Sequence, residues 1–180
     1  TVYLGEGERF VDLVREGVDC VVRAGALADS DMVVRRLGMM EEITVASPAY
    51  LAKHGTPLTP DELDGHRMIG FVSSRTGQPL PLEFTRDGSV IEIALPARVL
   101  VGGADTSAAA ARFGLGLCQA PRYRFADDLA SGALVEVLAD FLPMPTPLSV
   151  LYPSNRQLSP RVRVFVDWLV ETIGPRLDAG

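Results

Sequence analysis

The segment from Asp19 to Arg67, DCVVRAGALADSDMVVRRLGMMEEITVASPAYLAKHGTPLTPDELDGHR, restricts the fold more than any other part of the chain. It opens with a short apolar run that ends in Arg23, passes through strand-like runs at Met32 to Leu37 and Ile43 to Ala46, and then meets two sets of helix punctuation. Ser47 can accept a hydrogen bond from the orphan N–H groups of a helix that starts at Pro48, and Gly55 can end that helix in a left-handed turn. Thr59, Pro60, Glu62 and Gly65 repeat the pattern, with Thr59 and Glu62 at capping-box spacing. On physical grounds alone this is an α/β segment that changes direction.

The rest of the chain extends that alternation. Val2 to Leu4 reads as a short strand, followed by the loop Gly5, Glu6, Gly7 and a helix over Glu8 to Glu16 that Gly17 stops. Cys20 to Arg23 is apolar up to its last residue, which predicts a parallel strand covered on both faces and a right-handed βαβ unit. Strands are expected at Met68 to Val72, Leu82 to Thr85, Val90 to Leu95 and Val99 to Gly102, with a hairpin turn at Asp87-Gly88. An alanine-rich helix runs from Asp105 or Thr106 to Arg112, with one of those two residues as its N-cap. Then follow a strand at Gly116 to Ala120, a helix from Arg122 to Ala130, and strands at Leu134 to Leu138 and Leu148 to Tyr152. Ser159 and Pro160 start a last helix whose Val162, Phe165, Val166, Leu169 and Ile173 form a core-facing stripe. The proline-marked passages Ala46 to Pro48 and Pro145 to Pro147 divide the chain into lobe one, residues 1–47 with 148–180, and lobe two, residues 48–147.

At 180 residues the chain can bury one core, or two small lobes. Hydrophobic residues make up 47% and charged residues 22%, which argues against disorder. No apolar run approaches the roughly 20 residues that span a bilayer, and Thr1 does not open a signal peptide. The lack of methionine at Thr1 suggests a piece of a longer protein. Net charge is −6 and the pI is near 4.9, so phosphate backbones should repel the chain. All of the 17 basic residues except Lys53 are arginine. Cys20 and Cys118 fall in predicted strands and read as buried free thiols, which favours a reducing compartment.

Open α/β sheets bind ligands beyond the carboxyl ends of their strands. The Gly5-Glu6-Gly7 loop is one such place, where the backbone could approach a ligand, although a tight turn needs the same glycines. Arg23 is another. A guanidinium closing an apolar strand needs a partner, and it could clamp a ligand carboxylate or pair with an internal acid such as Glu6 or Asp105. The turn of Gly102, Gly103, Ala104, Asp105, Thr106 and Ser107 brings hydroxyls to a helix start, which suits an anion or a carbonyl oxygen. Enzymatic readings find little support. His54 and His66 lack acidic or cysteine partners at metal or triad spacing, the cysteines are not in CxxC, and Gly114-Leu-Gly116 lies between a helix and a strand, the reverse of a dinucleotide loop. No catalytic residue, metal site or cofactor is expected.

The order of these pieces resembles the effector-binding domain of LysR-type transcriptional regulators. EGVDCVVRAG at Glu16 to Gly25 and ASPAYLAKHGTPLTPDELDGH at Ala46 to His66 are similar to the family's EGxD-xxxR-xG strand and its ASPxYLxxHGxPxxPxxLxxH crossover. RFGLGLCQAPRY at Arg112 to Tyr123, LASGALVEVLADF at Leu129 to Phe141 and LYPSNRQLSPRVRVFVDWL at Leu151 to Leu169 resemble its later strands and last helix. The resemblance implies a two-lobed fold like that of type 2 periplasmic solute-binding proteins, with mixed sheets flanked by helices and a ligand cleft between the lobes. It implies an effector site made from Gly5, Glu6, Gly7, Arg23, Gly25, Phe71, Ser73, Ser74, Gly103, Asp105, Thr106, Pro121 and Arg122. Family members carry a polar residue near Gly7, so this chain departs from the pattern there. The resemblance further implies a non-catalytic, cytoplasmic sensor that forms dimers or tetramers, binds a small and often anionic effector, and reaches DNA only through an amino-terminal helix-turn-helix. It also implies a strand and helix of lobe one ahead of Thr1, without which the sheet would keep unpaired backbone groups. A stand-alone periplasmic solute-binding protein is the alternative on the same fold.

Overall fold

The computed structural model describes residues 1–5, 7, 12–25, 27, 32–154 and 159–177. Strands β1 (Val21–Ala24), β2 (Met32–Met40) and β3 (Glu42–Ala46) lead into helix α1 (Pro48–His54) and β4 (Met68–Phe71). Next come β5 (Leu82–Arg86), β6 (Ser89–Ile93), β7 (Ala97–Val101), α2 (Ala104–Arg112) and β8 (Cys118–Pro121). Helix α3 (Ala126–Ser131), β9 (Val135–Val137), β10 (Thr146–Pro153) and α4 (Pro160–Leu177) complete the order. Two compact units result. One contains Glu42–Met144 with Thr1–Phe10, the other Val11–Glu41 with Pro145–Gly180. The chain passes between them at Glu41 and at Met144, whereas the proline marks had suggested Ser47 and Pro147. At Ser47 the proline instead opens α1.

In the first unit β3 is the central strand, antiparallel to β8 on one side and β9 on the other. Four of its five residues are buried, because Ile43 and Val45 enter one core cluster and Ala46 another. β4 and β7 run parallel, and a parallel bridge from Met68 to Leu117 ties β4 to the chain entering β8. This close approach excludes a side chain at Gly116, where a Cβ would lie 2.9 Å from the Arg67 carbonyl oxygen. The alanines of α2 allow the helix to sit close on β4, β7 and β8, with Ala111 fully buried among Ile43, Val101 and Phe125. Gln119 stitches the layers together. Its side-chain NH2 donates to Thr44 Oγ1 and the Glu83 carbonyl at 2.9 and 2.7 Å, and its oxygen accepts from Glu83 N at 2.8 Å.

Local chemistry follows the sequence closely at α1. Ser47 Oγ accepts from Tyr50 N at 3.2 Å, and Gly55 ends the helix at φ 86°. Asp87 and Gly88 both have positive φ and join β5 to β6 in an antiparallel hairpin. At Thr59 the expected second helix is only the 3₁₀ turn Pro60–Glu62. There Glu62 accepts from Leu58 N and from the Thr59 hydroxyl, but Thr59 caps nothing in return.

The second unit has the sheet order β1, β10, β2, with both pairings antiparallel. Helix α4 covers one face with Val162, Val166 and Leu169 against Leu37 and Val150. The fit is close, since a Cβ on Gly38 would meet Leu177 at 3.0 Å and one on Gly174 would meet the Leu37 carbonyl at 3.0 Å. Two expectations are corrected here. Val2 to Leu4 lies outside any strand with its side chains exposed, and β1 is not a fully covered parallel strand, since its burial alternates and Val22 is 44% exposed. An apolar run cannot state the direction of its partner, and here that partner is the antiparallel β10. The expected helix before it falls partly outside the described residues. Its last turn is described, and Val18 N donates to Leu13 O at 3.0 Å around Gly17 at φ 69°.

Candidate functional site

The first unit gathers most of the candidate residues at one end. β4, β7 and the strand leading through Leu117 into β8 all point the same way, so Phe71, Val101 and Pro121 mark a common carboxyl edge. Just beyond it lie Ser73 and Ser74, the turn of Gly102 and Gly103, the first turn of α2, and Arg122.

Several of these residues have a definite role in the local structure. Phe71 is half-buried against the α2 core cluster. Val72 N extends the ladder to the Val101 carbonyl at 2.8 Å, and the chain then closes a tight loop with Ser73 N donating to Gln78 O at 2.9 Å. Ser73 Oγ accepts from Arg75 N at 3.3 Å, while Ser74 is exposed. Helix α2 begins at Ala104, earlier than expected. Its N-cap is Gly103, in extended conformation and without a side-chain cap, so neither Asp105 nor Thr106 caps the helix. Both lie within the first turn and are exposed. The Asp105 carboxylate pairs with Arg124 at 3.0 Å. Arg122 makes a bidentate pair with Glu136 at 2.8 and 2.9 Å.

The chemistry of this edge is that of a binding surface. It presents uncapped helix N–H groups and hydroxyls, which suit ligand oxygens, while its two arginines are already matched by carboxylates. It has no activated nucleophile. Ser107 Oγ lies 3.0 Å from Cys118 Sγ, but burial pushes the Cys118 thiol up to about 11, so it stays protonated at neutral pH. Cys20 is also a free thiol, half-buried rather than fully buried, and raised by burial and by Asp19. Among the described residues no group of three or more His, Cys, Asp or Glu side chains is placed to hold a metal ion. No helix among them is long and apolar enough to cross a membrane.

The remaining candidates lie elsewhere. Gly5 and Gly7 are exposed with nothing within 4 Å of a would-be Cβ, and Glu6 lies outside the described residues. Arg23 is half-buried on β1 of the second unit and already engaged by another group. Gly25 follows at φ 94° and donates its N–H to the Pro147 carbonyl at 2.9 Å. Sequence reasoning missed Glu136 as the partner of Arg122. The signal that could have found it is weak: an acid in an apolar strand needs a cation, and Arg122 lies 14 positions away. It also missed the buried pair of Tyr50 and His66, because a histidine in a loop gives no sign of being buried.

Residues 1–174 match the family model described as the LysR substrate binding domain. The chain is 34% identical over 175 residues to the uncharacterized HTH-type transcriptional regulator YhjC of Escherichia coli (strain K12), covering 97% of this chain and 58% of that protein. It is 31% identical over 175 residues to the HTH-type transcriptional regulator CrgA of Neisseria meningitidis serogroup C (strain 8013), again covering 97% of this chain and 58% of that protein. Among solved structures, the regulatory domain of CrgA, a LysR-type transcriptional regulator from Neisseria meningitidis, matches with a TM-score of 0.73 and 28% identity, covering 94% of this chain and 81% of that one. The chain spans a little over half the length of these curated relatives. With a family model over nearly its whole length and regulatory-domain structures sharing its fold, the chain belongs to the LysR substrate binding domain family.

Proposed function

We propose that this chain is the effector-sensing domain of a LysR-type transcriptional regulator, and that a small anionic metabolite binds at the carboxyl edge of β4, β7 and β8. The observation that carries this reading is the first turn of α2, which has no side-chain cap and starts at the same edge as Ser73 and Ser74. An uncapped helix start beside hydroxyls binds an oxyanion without any net positive charge in the site. In this reading Thr106 and Ser74 donate to the ligand, Gly103 lets it approach the backbone, and Phe71 and Pro121 form the apolar floor. Asp105 and Arg122 hold the edge in place through their ion pairs. Within the second unit, Arg23 with Gly25 beside it is proposed separately as an anion contact, and in the first unit Gly5 and Gly7 are proposed as backbone contacts.

The whole regulator is proposed to be a cytoplasmic homo-oligomer that contacts DNA through a helix-turn-helix outside this chain. The effector acts by population shift. It changes the arrangement of the oligomer only as far as it binds one arrangement more tightly than another.

Isothermal titration with a panel of carboxylated metabolites tests the site. Thr106→Val keeps the side-chain shape and removes the hydroxyl, so affinity for the bound metabolite should fall about tenfold, the loss of one hydrogen bond to a charged group. Unchanged affinity in both Thr106→Val and Ser74→Ala would overturn the placement.

A further inference from the structure

The second unit has a small cavity of its own, about 220 Å³, lined by Arg35 of β2, Tyr152 of β10, and Arg163, Val166 and Asp167 of α4. The sheet register explains why these side chains meet. Arg35 lies opposite Val150 and Val33 opposite Tyr152, so Arg35 and Tyr152 are diagonal neighbours on one face. That face is the one α4 covers, since Val150 and Tyr152 pack into the α4 core and Arg35 is ion-paired with Asp167. On the helix, Arg163 is followed three and four residues later by Val166 and Asp167, the spacing that puts side chains on one side. Val166 is 1% exposed and lies deepest. β2 is an outer strand of its sheet, and Arg35 and Arg163 are exposed, so a small molecule can reach the cavity from solvent.

The charges around the cavity do not cancel. Asp167 is matched by Arg35, through a contact that uses a single nitrogen of the guanidinium fork. Among the described residues, the Arg163 guanidinium and the Tyr152 hydroxyl make no hydrogen bond or ion pair. One surplus positive charge and two unused donor groups therefore face the same space, in a chain whose net charge is −6. A guanidinium fork and a phenol hydroxyl together match the two oxygens of a carboxylate. A second negative charge on the ligand would instead meet Asp167. The volume is below the roughly 300 Å³ at which pockets for drug-sized ligands begin, which leaves room for only a short chain beyond the carboxylate.

We propose that this cavity binds a small monocarboxylate. Arg163 pairs with the carboxylate through its fork, the Tyr152 hydroxyl donates to one of its oxygens, and the hydrocarbon part lies against Val166. Asp167 restricts the site to one negative charge. This is a second ligand site, built entirely within the second unit, and its test is independent of the site proposed at the edge of β4, β7 and β8.

The test follows the ¹⁵N-labelled full chain by NMR during titration with butyrate and with inorganic phosphate. Butyrate should shift the Arg163 side-chain Nε–H and the Val166 amide with a Kd of about 1–10 mM, and phosphate should bind more weakly. Read at Val166, Arg163→Gln should weaken butyrate about tenfold and Tyr152→Phe several-fold. Arg176→Gln, an equal charge change at the far end of α4, should stay within about twofold. Asp167→Asn should act in the opposite direction and tighten butyrate several-fold, a response that a merely structural ion pair would not give. Arg163 is exposed, so its replacement should leave the melting temperature unchanged. If it does not, Arg163→Lys decides, because it keeps the charge and loses the fork, and binding several-fold below wild type is expected. Thr106→Val and Ser74→Ala should leave the butyrate shifts at Arg163 and Val166 as they are. The proposal is overturned if butyrate at about 50 mM moves neither resonance, if Arg163→Gln behaves like Arg176→Gln, if Asp167→Asn weakens butyrate, or if phosphate binds the wild type more tightly than butyrate.

Discussion

Tyr50 shows how much of this domain's behaviour rests on single buried polar atoms. Its hydroxyl accepts from Arg67 N at 2.9 Å, lies 3.1 Å from His66 Nδ1 and 3.3 Å from the Arg67 carbonyl oxygen, and both rings are almost fully buried. The hydroxyl has one proton to give. With His66 neutral and accepting at Nδ1, that proton makes the shorter bond. With His66 protonated, Nδ1 becomes a donor and the tyrosine proton must turn to the longer bond with Arg67. Burial and the nearby His54, whose ring centre lies 6.3 Å away, hold the His66 pKa below its ordinary value of 6.5. The sign of the linkage follows. As pH falls through 6.5 the unfolded chain takes up the proton first, so stability is complete above 6.5 and is lost progressively between 6.5 and the lower folded pKa. The melting temperature should therefore fall on acidification from about pH 7.5 to about pH 5.5, and His66→Gln should remove part of that slope. Equal slopes in the two proteins would show that His66 does not carry the effect.

Helix α1 is the element whose sequence chemistry is most complete, and its cap can be tested directly. Ser47 is 3% exposed and its hydroxyl satisfies the Tyr50 N–H, so Ser47→Ala should lower unfolding stability by about 1 kcal/mol in denaturant titration, the usual cost of losing such a cap. No change would mean that water replaces the hydroxyl at no cost. Signals of this kind are local, which is why α1, the Asp87-Gly88 hairpin, the alanine-rich α2 and the stripe of α4 were all legible from the chain. What was not legible depends on distant partners. The apolar run at β1 fits a parallel or an antiparallel neighbour equally well, and only the alignment of Val21 with Leu151 decides between them. Thr59 and Glu62 have capping-box spacing, yet Leu63 closes back on Pro60 after a single turn. The candidate site divides in the same way. Hydroxyls and glycines after strands are recognisable in sequence and mark the candidates, but the pairing of Arg122 with Glu136 and of Asp105 with Arg124 depends on register.

For the molecule as a whole, charge decides which partners this chain can meet unaided. It carries 23 acidic and 17 basic residues, a net charge of −6, and among the described residues the arginines Arg35, Arg86, Arg112, Arg122, Arg124 and Arg161 are held in ion pairs with carboxylates. Affinity for duplex DNA comes chiefly from cations that displace counterions along the phosphate backbone. Arginines already neutralised by Asp or Glu contribute little to that displacement, and the surplus of acid opposes the approach of a second polyanion. In the proposed regulator, any influence on transcription then runs through the DNA-binding part and not through direct contact of this chain with DNA. In a gel-shift or anisotropy titration at about 50 mM salt, conditions that exaggerate electrostatic attraction, the 180-residue chain should show neither sequence-specific nor non-specific binding to duplex DNA. Lowering the salt further should not produce a complex, because there is no net counterion release to favour one. A sequence-specific complex formed by this chain alone would overturn the division of labour, and it would require a basic surface that the ion pairs of Arg112, Arg122 and Arg124 currently neutralise.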